Sequence, residues 1–266
     1  MNFKVLCSDL DGTLLTTKSD VSDFTISEIA RIKERTKVIL VSARMPQSMT
    51  YLQKRLTIEN QPIICYNGAL VIDGTTEIFS DTINFETVES VFLLAEADNI
   101  KLGLYYNSEW YVEETSERVE KEIKYTCTEP IFRNTSETLV DWKSRNISAH
   151  KIMMMGTKAS SDKIFPILVE RFSEQINIYR SNDTLIELAP KSVSKLSAIQ
   201  LLLKKNESLS DVISFGDNYN DTEMLQHSGV GVAVANGREA VKAIADYTAL
   251  KNTEDGVAHF IKEHLI

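Results

Sequence analysis

Hydrophobic residues along this chain gather in short, nearly unbroken runs that stop at small or polar residues. Phe3 to Leu6 empties into Asp9-Leu10-Asp11-Gly12-Thr13, Val38 to Val41 ends at Ser42, and Ile63 to Cys65 ends before Asn67. Later, Val212 to Phe215 meets Gly216-Asp217 and Val230 to Ala235 meets Asn236-Gly237. Runs without alternation predict strands buried on both faces, as in a parallel sheet covered by helices. Between them, Ile26 to Ile32 and Val193 to Leu203 place apolar residues three and four apart, with Ser27 and Ser194 as candidate caps or first-turn residues. Strand and helix patterns in alternation predict a doubly wound, mainly parallel α/β core.

From about Asn84 to Ala189 the pattern changes. Phe85 to Ala97 reads as a helix, Ile100 to Tyr106 and Trp110 to Glu113 as strands around Asn107-Ser108, and Glu117 to Tyr125 as a charged helix. Further strands are expected at Ile147 to Met155, Ile176 to Arg180 and Leu185 to Leu188. Hairpin signals there predict an α+β domain at residues 84–188, inserted into a core made of 1–83 and 189–266. Trp110, Trp142 and the Met153 to Met155 run are expected to fill interiors rather than line a ligand box. No internal repeat or low-complexity segment is evident.

Composition narrows the partners. With 266 residues and 43% hydrophobic content, the chain has enough apolar material for one large domain or two modest ones. A net charge of −9, from 29 basic and 38 acidic residues, gives no electrostatic reason to bind nucleic acid or an anionic membrane. Cys7, Cys65 and Cys127 lie far apart with no C-x-x-C, so each is expected to be a small buried hydrophobe. The amino terminus reaches an acidic residue too soon for a signal peptide, and no stretch has the length of a membrane span. A reduced, cytoplasmic setting is the expectation.

The candidate chemistry lies where the apolar runs end. On an extended strand, side chains at i and i+2 share a face, so Asp9 and Asp11 are expected to aim the same way into one small space. Like charges that close push a pKa up unless a cation intervenes, and such a pair suits metal-assisted phosphoryl transfer. Ser42-Ala43-Arg44, Lys195 and Gly216-Asp217-Asn218-Tyr219-Asn220-Asp221 also stand at strand ends or helix starts. Taken singly, these are ordinary turn, cap and surface residues. Taken together, they point to one crevice at the carboxyl edge of an open α/β sheet, where ligands bind.

In this order the motifs resemble those of haloacid dehalogenase superfamily phosphatases of the Cof type, with a large α/β cap inserted between the second and third motifs. The resemblance covers nearly the whole chain, including the tail Asn252-Thr253-Glu254-Asp255-Gly256-Val257. It implies that Asp9 is a nucleophile that becomes aspartyl-phosphate and that Asp11 is the general acid and base. Magnesium would be held by the Asp9 carboxylate, the Asp11 main-chain carbonyl and Asp217, with Asp221 orienting that set. Ser42 and the main-chain amides of Leu10 and Ala43 would hold phosphate oxygens, Lys195 would balance charge on Asp9 and the phosphoryl group, and Asn220 would bond the phosphate. The cap would close over the crevice, which favours small phosphorylated metabolites, sugar phosphates among them, in a monomer or weak homo-oligomer. Arg44, Asn67 and Arg180 are candidates for contacting the leaving group.

Two positions depart from the family pattern. Ala43 stands where Gly is commoner, and Ala takes a positive φ less cheaply. Leu196 follows Lys195 where Gly is usual, placing a side chain at a tight helix start. Transfer to a hydroxyl acceptor, as in a phosphosugar mutase or phosphotransferase, stays open beside hydrolysis. Receiver domains of signalling proteins share the Asp, Ser/Thr and Lys chemistry, but take their phosphorylated Asp from the third strand and lack an inserted domain. Dinucleotide binding is disfavoured, because Gly229-Val230-Gly231 is followed by Val234 where a third Gly is needed.

Overall fold

The computed structural model describes residues 2–17 and 19–265. In chain order the elements are β1 (Val5–Asp9), α1 (Asp23–Ile32), β2 (Lys37–Val41), α2 (Gln47–Leu56), β3 (Ile63–Cys65), β4 (Leu70–Asp73) and β5 (Thr76–Ser80). Next come α3 (Phe85–Ala97), β6 (Lys101–Tyr106), β7 (Glu109–Val112), α4 (Glu117–Thr126), β8 (Ile131–Phe132), α5 (Thr135–Arg145), β9 (Lys151–Met155) and α6 (Lys158–Phe172). The chain continues with β10 (Ile176–Asn182), β11 (Leu185–Pro190), α7 (Lys195–Leu201), β12 (Val212–Gly216), α8 (Thr222–His227) and β13 (Val230–Val234). It closes with α9 (Glu239–Lys242), β14 (Tyr247–Ala249) and α10 (Gly256–His264). These elements form two compact units, one made of the segments up to Phe79 and from Ser194 onward, the other of Ser80–Val193.

The first unit is an α/β sheet in the order β14-β13-β12-β1-β2-β3-β4-β5, parallel from β14 to β3 and antiparallel where β4 joins β3. Its central strands are the apolar runs: Val5, Leu6, Cys7, Ile39 and Leu40 are fully buried, because helices cover both faces. Each such aliphatic side chain stabilises the fold by about 1.5–3 kcal/mol. Register puts Ser8 beside Phe215 and Asp9 beside Val41, so β1, β2 and β12 end together at one edge. The residues that follow those ends are therefore neighbours. Helix α1 starts earlier than the sequence suggested: Ser22 caps it by accepting from the Thr25 amide, while Ser27 lies inside and donates to the Phe24 carbonyl. Ser194 caps α7, accepting from the Ser197 amide.

The second unit is a six-stranded sheet, β10-β11-β9-β6-β7-β8, antiparallel except for the β7–β8 pair. Alternate residues Leu102, Leu104, Ile152, Met154, Ile186 and Leu188 share one core with Val88, Trp142 and Ile164 from the helices. Trp110 and Met153 are buried as well, the Trp110 ring stacked on Tyr105 with centroids 5.5 Å apart. Ile83 belongs to this core and its amide donates to the Ala149 carbonyl, so the first junction falls at Phe79/Ser80, earlier than residues 83/84. β11 runs to Pro190 and the second junction falls at Val193/Ser194, later than 188/189.

β9 begins at Lys151 rather than Ile147, because the residues before it are tied elsewhere: Ser148 Oγ donates to the Ile83 carbonyl, and the His150 ring is pinned from both sides. His150 Nδ1 accepts from the Asn107 amide at 3.0 Å, which leaves Nε2 to carry the proton toward Ser80 Oγ at 2.9 Å. Burial pushes its pKa down to about 4, with Asp81 opposing. In the unfolded chain an ordinary histidine takes its proton near 6.5. Between those values the unfolded state holds more protons, so stability falls as pH drops from about 6.5 to 4 and has no His150 contribution above that window. Acid unfolding followed by circular dichroism is expected to show a loss of about 3 kcal/mol across the window, flattened in His150→Gln. An unchanged slope in that variant would remove His150 as its source.

Cys7 and Cys65 are buried and burial pushes their thiols up. Cys127 is exposed, contrary to expectation, because it ends α4 in a left-handed turn (φ 53°). Among the described residues, no helix is long and apolar enough to cross a membrane.

Candidate active site

β1 ends at Asp9, and the next five residues form an irregular turn closed by the Leu15 amide on the Leu10 carbonyl. Asp11 (φ −76°, ψ 108°) and Gly12 (φ 90°) are not helical, so strand alternation stops at Asp9. The two carboxylates consequently part company. Asp9 is buried at 6% exposure and its Oδ1 accepts from Lys195 Nζ at 2.6 Å, whereas the Asp11 side chain is 47% exposed and bound to Arg44. Their expected mutual crowding is absent; other carboxylates crowd Asp9 instead.

Those carboxylates come from the loop after β12. Asp221 is fully buried and both of its oxygens are engaged: Oδ1 accepts from Lys195 Nζ at 2.6 Å, and Oδ2 accepts from the amides of Asp217 and Asn218 at 2.9 and 3.0 Å. Asp217 Oδ1 accepts from Thr13 Oγ1 at 3.1 Å. Gly12 makes room for this carboxylate, since a Cβ there would lie 2.7 Å from Asp217 Oδ2 and its φ already disfavours a side chain. Gly216 does the same for Asp221, whose Cβ would stand 2.5 Å from an added methyl.

Asp9, Asp217 and Asp221 each offer an oxygen within 4.8 Å of the others. Among the described residues, the ammonium of Lys195 is the one bonded to them. Burial raises the Asp9 pKa well above the carboxylate range, with Asp221 and Asp217 adding to the rise and Lys195 opposing it. Burial, then Asp221, pushes Asp217 up to about 6. Lys195 is 1% exposed; burial alone lowers its pKa, but Asp221 and Asp9 raise it overall, so it stays charged. Negative charge thus exceeds positive in a set of hard oxygen donors, the condition a small divalent cation relieves.

The loop after β2 forms another wall. Ser42 is buried; its amide donates to the Ile64 carbonyl, its carbonyl accepts from the Asn67 amide, and its Oγ accepts from the Arg44 amide at 3.2 Å. Ala43 is not among the residues with positive φ, so the missing Gly costs no strain. Arg44 is 5% exposed and grips Asp11 as a fork, Nε to Oδ2 and Nη2 to Oδ1, both at 2.7 Å, with Nη1 toward Tyr51 Oη at 3.3 Å. Asn67 (φ 56°) accepts from Asn220 Nδ2 at 3.0 Å, which brings two of the sequence candidates together. Leu196 packs against the core cluster containing Val5 and Ile39, so its side chain has a place. Leu10 is buried within the β1 turn.

Arg180 belongs to the other unit. There Nη2 binds Asp162 Oδ1 at 2.5 Å and the Asp183 carbonyl at 3.3 Å, and the guanidinium stands 6.0 Å from the Phe165 ring centroid. Sequence reasoning passed over Thr13, Tyr51 and the side-chain roles of Asn236 and Asn252. Asn236 carried a usable signal, since it follows an apolar run just as Ser42 and Gly216-Asp217 do.

Comparison with known proteins agrees with this geometry. The family described as haloacid dehalogenase-like hydrolase matches residues 6–261. A provisionally named phosphatase of Haemophilus influenzae is 30% identical over 99% of this chain and 98% of its own length. The 5-amino-6-(5-phospho-D-ribitylamino)uracil phosphatase of Bacillus subtilis is 27% identical over 98% of this chain and 97% of its own. A haloacid dehalogenase-like hydrolase from Bacteroides thetaiotaomicron superposes with a TM-score of 0.89 at 27% identity, covering 98% of this chain and 99% of that one. With Asp9, Lys195, Asp217 and Asp221 gathered at one sheet edge and the family match spanning nearly the whole sequence, the chain belongs to the haloacid dehalogenase-like hydrolases, on their Cof-type phosphatase branch.

Proposed function

We propose that this chain is a magnesium-dependent phosphomonoesterase of the cytoplasm, acting on small phosphorylated metabolites through a phosphoryl group carried on Asp9. The observation that supports it most is the buried Lys195 ammonium shared at 2.6 Å between Asp9 and Asp221, beside an Asp217 carboxylate with charge left over. A phosphate dianion repels a carboxylate, so Asp9 reaches phosphorus only where that repulsion is offset. Lys195 offsets part of it. Asp9 and Asp217, with the Asp11 main-chain oxygen, would hold magnesium, and Asp221 has both oxygens engaged by Lys195 and two amides, which fits a supporting place behind them. When bound, magnesium supplies positive charge against the phosphoryl oxygens.

In the first step an Asp9 oxygen bonds to phosphorus, the bond from phosphorus to the ester oxygen breaks, and Asp11 gives that oxygen its proton. In the second, Asp11 takes a proton from water, the water oxygen bonds to phosphorus, and Asp9 is released. Ser42 Oγ, the Leu10 and Ala43 amides and Asn220 hold phosphate oxygens through both. Arg44 fixes Asp11 by two arms, one of which opens as its oxygen takes up the proton. The substrate reading leans toward phosphorylated sugars and sugar alcohols, supported by the phosphoribityl substrate in the name of the Bacillus subtilis relative.

Phosphate release from a panel of metabolite monoesters is expected to need magnesium and to stop in excess chelator. Asp11→Asn is expected to cost about 10²- to 10⁴-fold on an alkyl phosphate but far less on p-nitrophenyl phosphate, whose leaving group needs little protonation. Activity untouched by chelator would end the metal assignment, and equal losses on both esters would end the acid role.

A further inference from the structure

The tail motif and the loop after β13 grip the turn that follows β1. Asn236 Nδ2 donates to the Gly12 carbonyl at 2.8 Å, and its Oδ1 accepts from the Asn252 amide, also at 2.8 Å. Asn252 Nδ2 in turn donates to the Leu15 carbonyl at 2.8 Å. Two side chains therefore fasten the Leu10–Leu14 turn near its middle and just past its end. The same loop holds the opposite wall, because the Arg238 amide donates to the Asp217 carbonyl at 2.8 Å. Between the walls, Thr13 bonds Asp217 and Gly12 lies against its carboxylate.

We propose that Asn236 and Asn252 are positioning residues that set the distance between the Asp9–Asp11 turn and Asp217, and so set the affinity of the site for magnesium. This rests on the metal-dependent reading of the site. Gly12 has a left-handed backbone (φ 90°) and no side chain of its own to anchor it, so its carbonyl direction depends on outside bonds. Asn236 uses both ends of its amide, one on the turn and one on the tail, and a residue placed there only for solubility would leave one end to water. Partners that orient metal-holding groups commonly contribute 10- to 100-fold in metal affinity without touching the ion. Asn236 and Asn252 would do so through the Gly12 and Leu15 carbonyls.

The test is calorimetric titration of magnesium chloride into the full chain, with no substrate present. Asn236→Ala and Asn252→Ala are each expected to weaken magnesium binding about 10-fold or more, and Asn236→Asp to match Asn236→Ala, because it keeps the acceptor but loses the donor to Gly12. All three are expected to stay folded in metal-free buffer and to keep the wild-type KM at saturating magnesium, whereas a merely structural role would lower the melting temperature and leave magnesium affinity unchanged. Wild-type magnesium affinity in the Asn variants, while Asp217→Asn loses binding, overturns the positioning role alone. Magnesium binding that is absent from the wild type, or unaffected by Asp217→Asn, overturns the metal reading and this inference with it.

Discussion

Replacing Asp9 with Asn is expected to abolish turnover, by at least about 10⁴-fold, while the protein melts at or above the wild-type temperature in metal-free buffer. The two halves of this outcome have one cause. Asp9 is buried among Asp217 and Asp221, with Lys195 the one ammonium bonded to the group among the described residues, and its carboxyl is pushed well above its ordinary pKa. An amide removes the charge that the fold tolerates poorly and keeps an oxygen for Lys195. It also removes the nucleophile, for which no other carboxylate substitutes: Asp221 is bonded through both oxygens to Lys195 and two amides, and Asp11 is held in the Arg44 fork. Residual hydrolysis near the wild-type rate would place the attacking group elsewhere. A fall in melting temperature parallel to the fall in rate would show that Asp9 is chiefly a structural partner of Lys195.

Lys195→Met is expected to act the other way on stability. Its ammonium is the only cation bonded to both Asp9 and Asp221 among the described residues, and removal leaves two buried carboxylates without compensation. Breaking a buried pair from one side costs about 3–5 kcal/mol, several times a surface ion pair. Denaturant midpoints near neutral pH should record that loss, and activity should vanish with it. Adding Asp221→Asn is expected to return part of the stability, because one of the two orphaned charges is then gone, but none of the activity. Failure of the second substitution to recover any stability would mean that the Met side chain disrupts packing at the start of α7 rather than charge balance.

Much of the fold was legible because the core strands are buried on both faces. The run Ile63 to Cys65 is β3 to the residue, and Phe85 to Ala97 is α3. Several elements that escaped notice have patterns that burial contradicts. In α2, Ser48 and Gln53 are buried, the latter donating to two backbone carbonyls, so the apolar stripe is interrupted. In α5, Thr138 is buried while Val140 is exposed, which inverts the expected face. α6 carries Pro166 in its interior, a residue that ordinarily argues against a helix. Strand β5 is largely exposed and shows no core pattern at all.

The site divides in the same way. Asp9, Ser42 and Asp217 were visible because chemistry-bearing residues stood at the ends of apolar runs, and Lys195 because it opened a predicted helix. The separation of Asp11 from Asp9 was not, since it depends on where the strand stops and the φ of Gly12 begins to act. The Arg44–Asp11 fork and the Asn236–Gly12 and Asn252–Leu15 bonds were equally hidden. They join residues 33, 224 and 237 positions apart, and no local pattern encodes such distances.

The placement of β1 between β2 and β12 has a consequence for how the protein is made. On the ribosome, β1 through β5 emerge first, but the strand that covers the other edge of β1 lies beyond the whole inserted unit. At synthesis rates of about 5–20 residues per second, that edge waits on the order of ten seconds for β12. The inserted unit, whose strands are all contiguous in sequence, has its entire core available in the meantime. The amino-terminal half-sheet is therefore expected to be the aggregation-prone species of this chain, and a nascent-chain truncation ending before Val212 is expected to depend most on a chaperone.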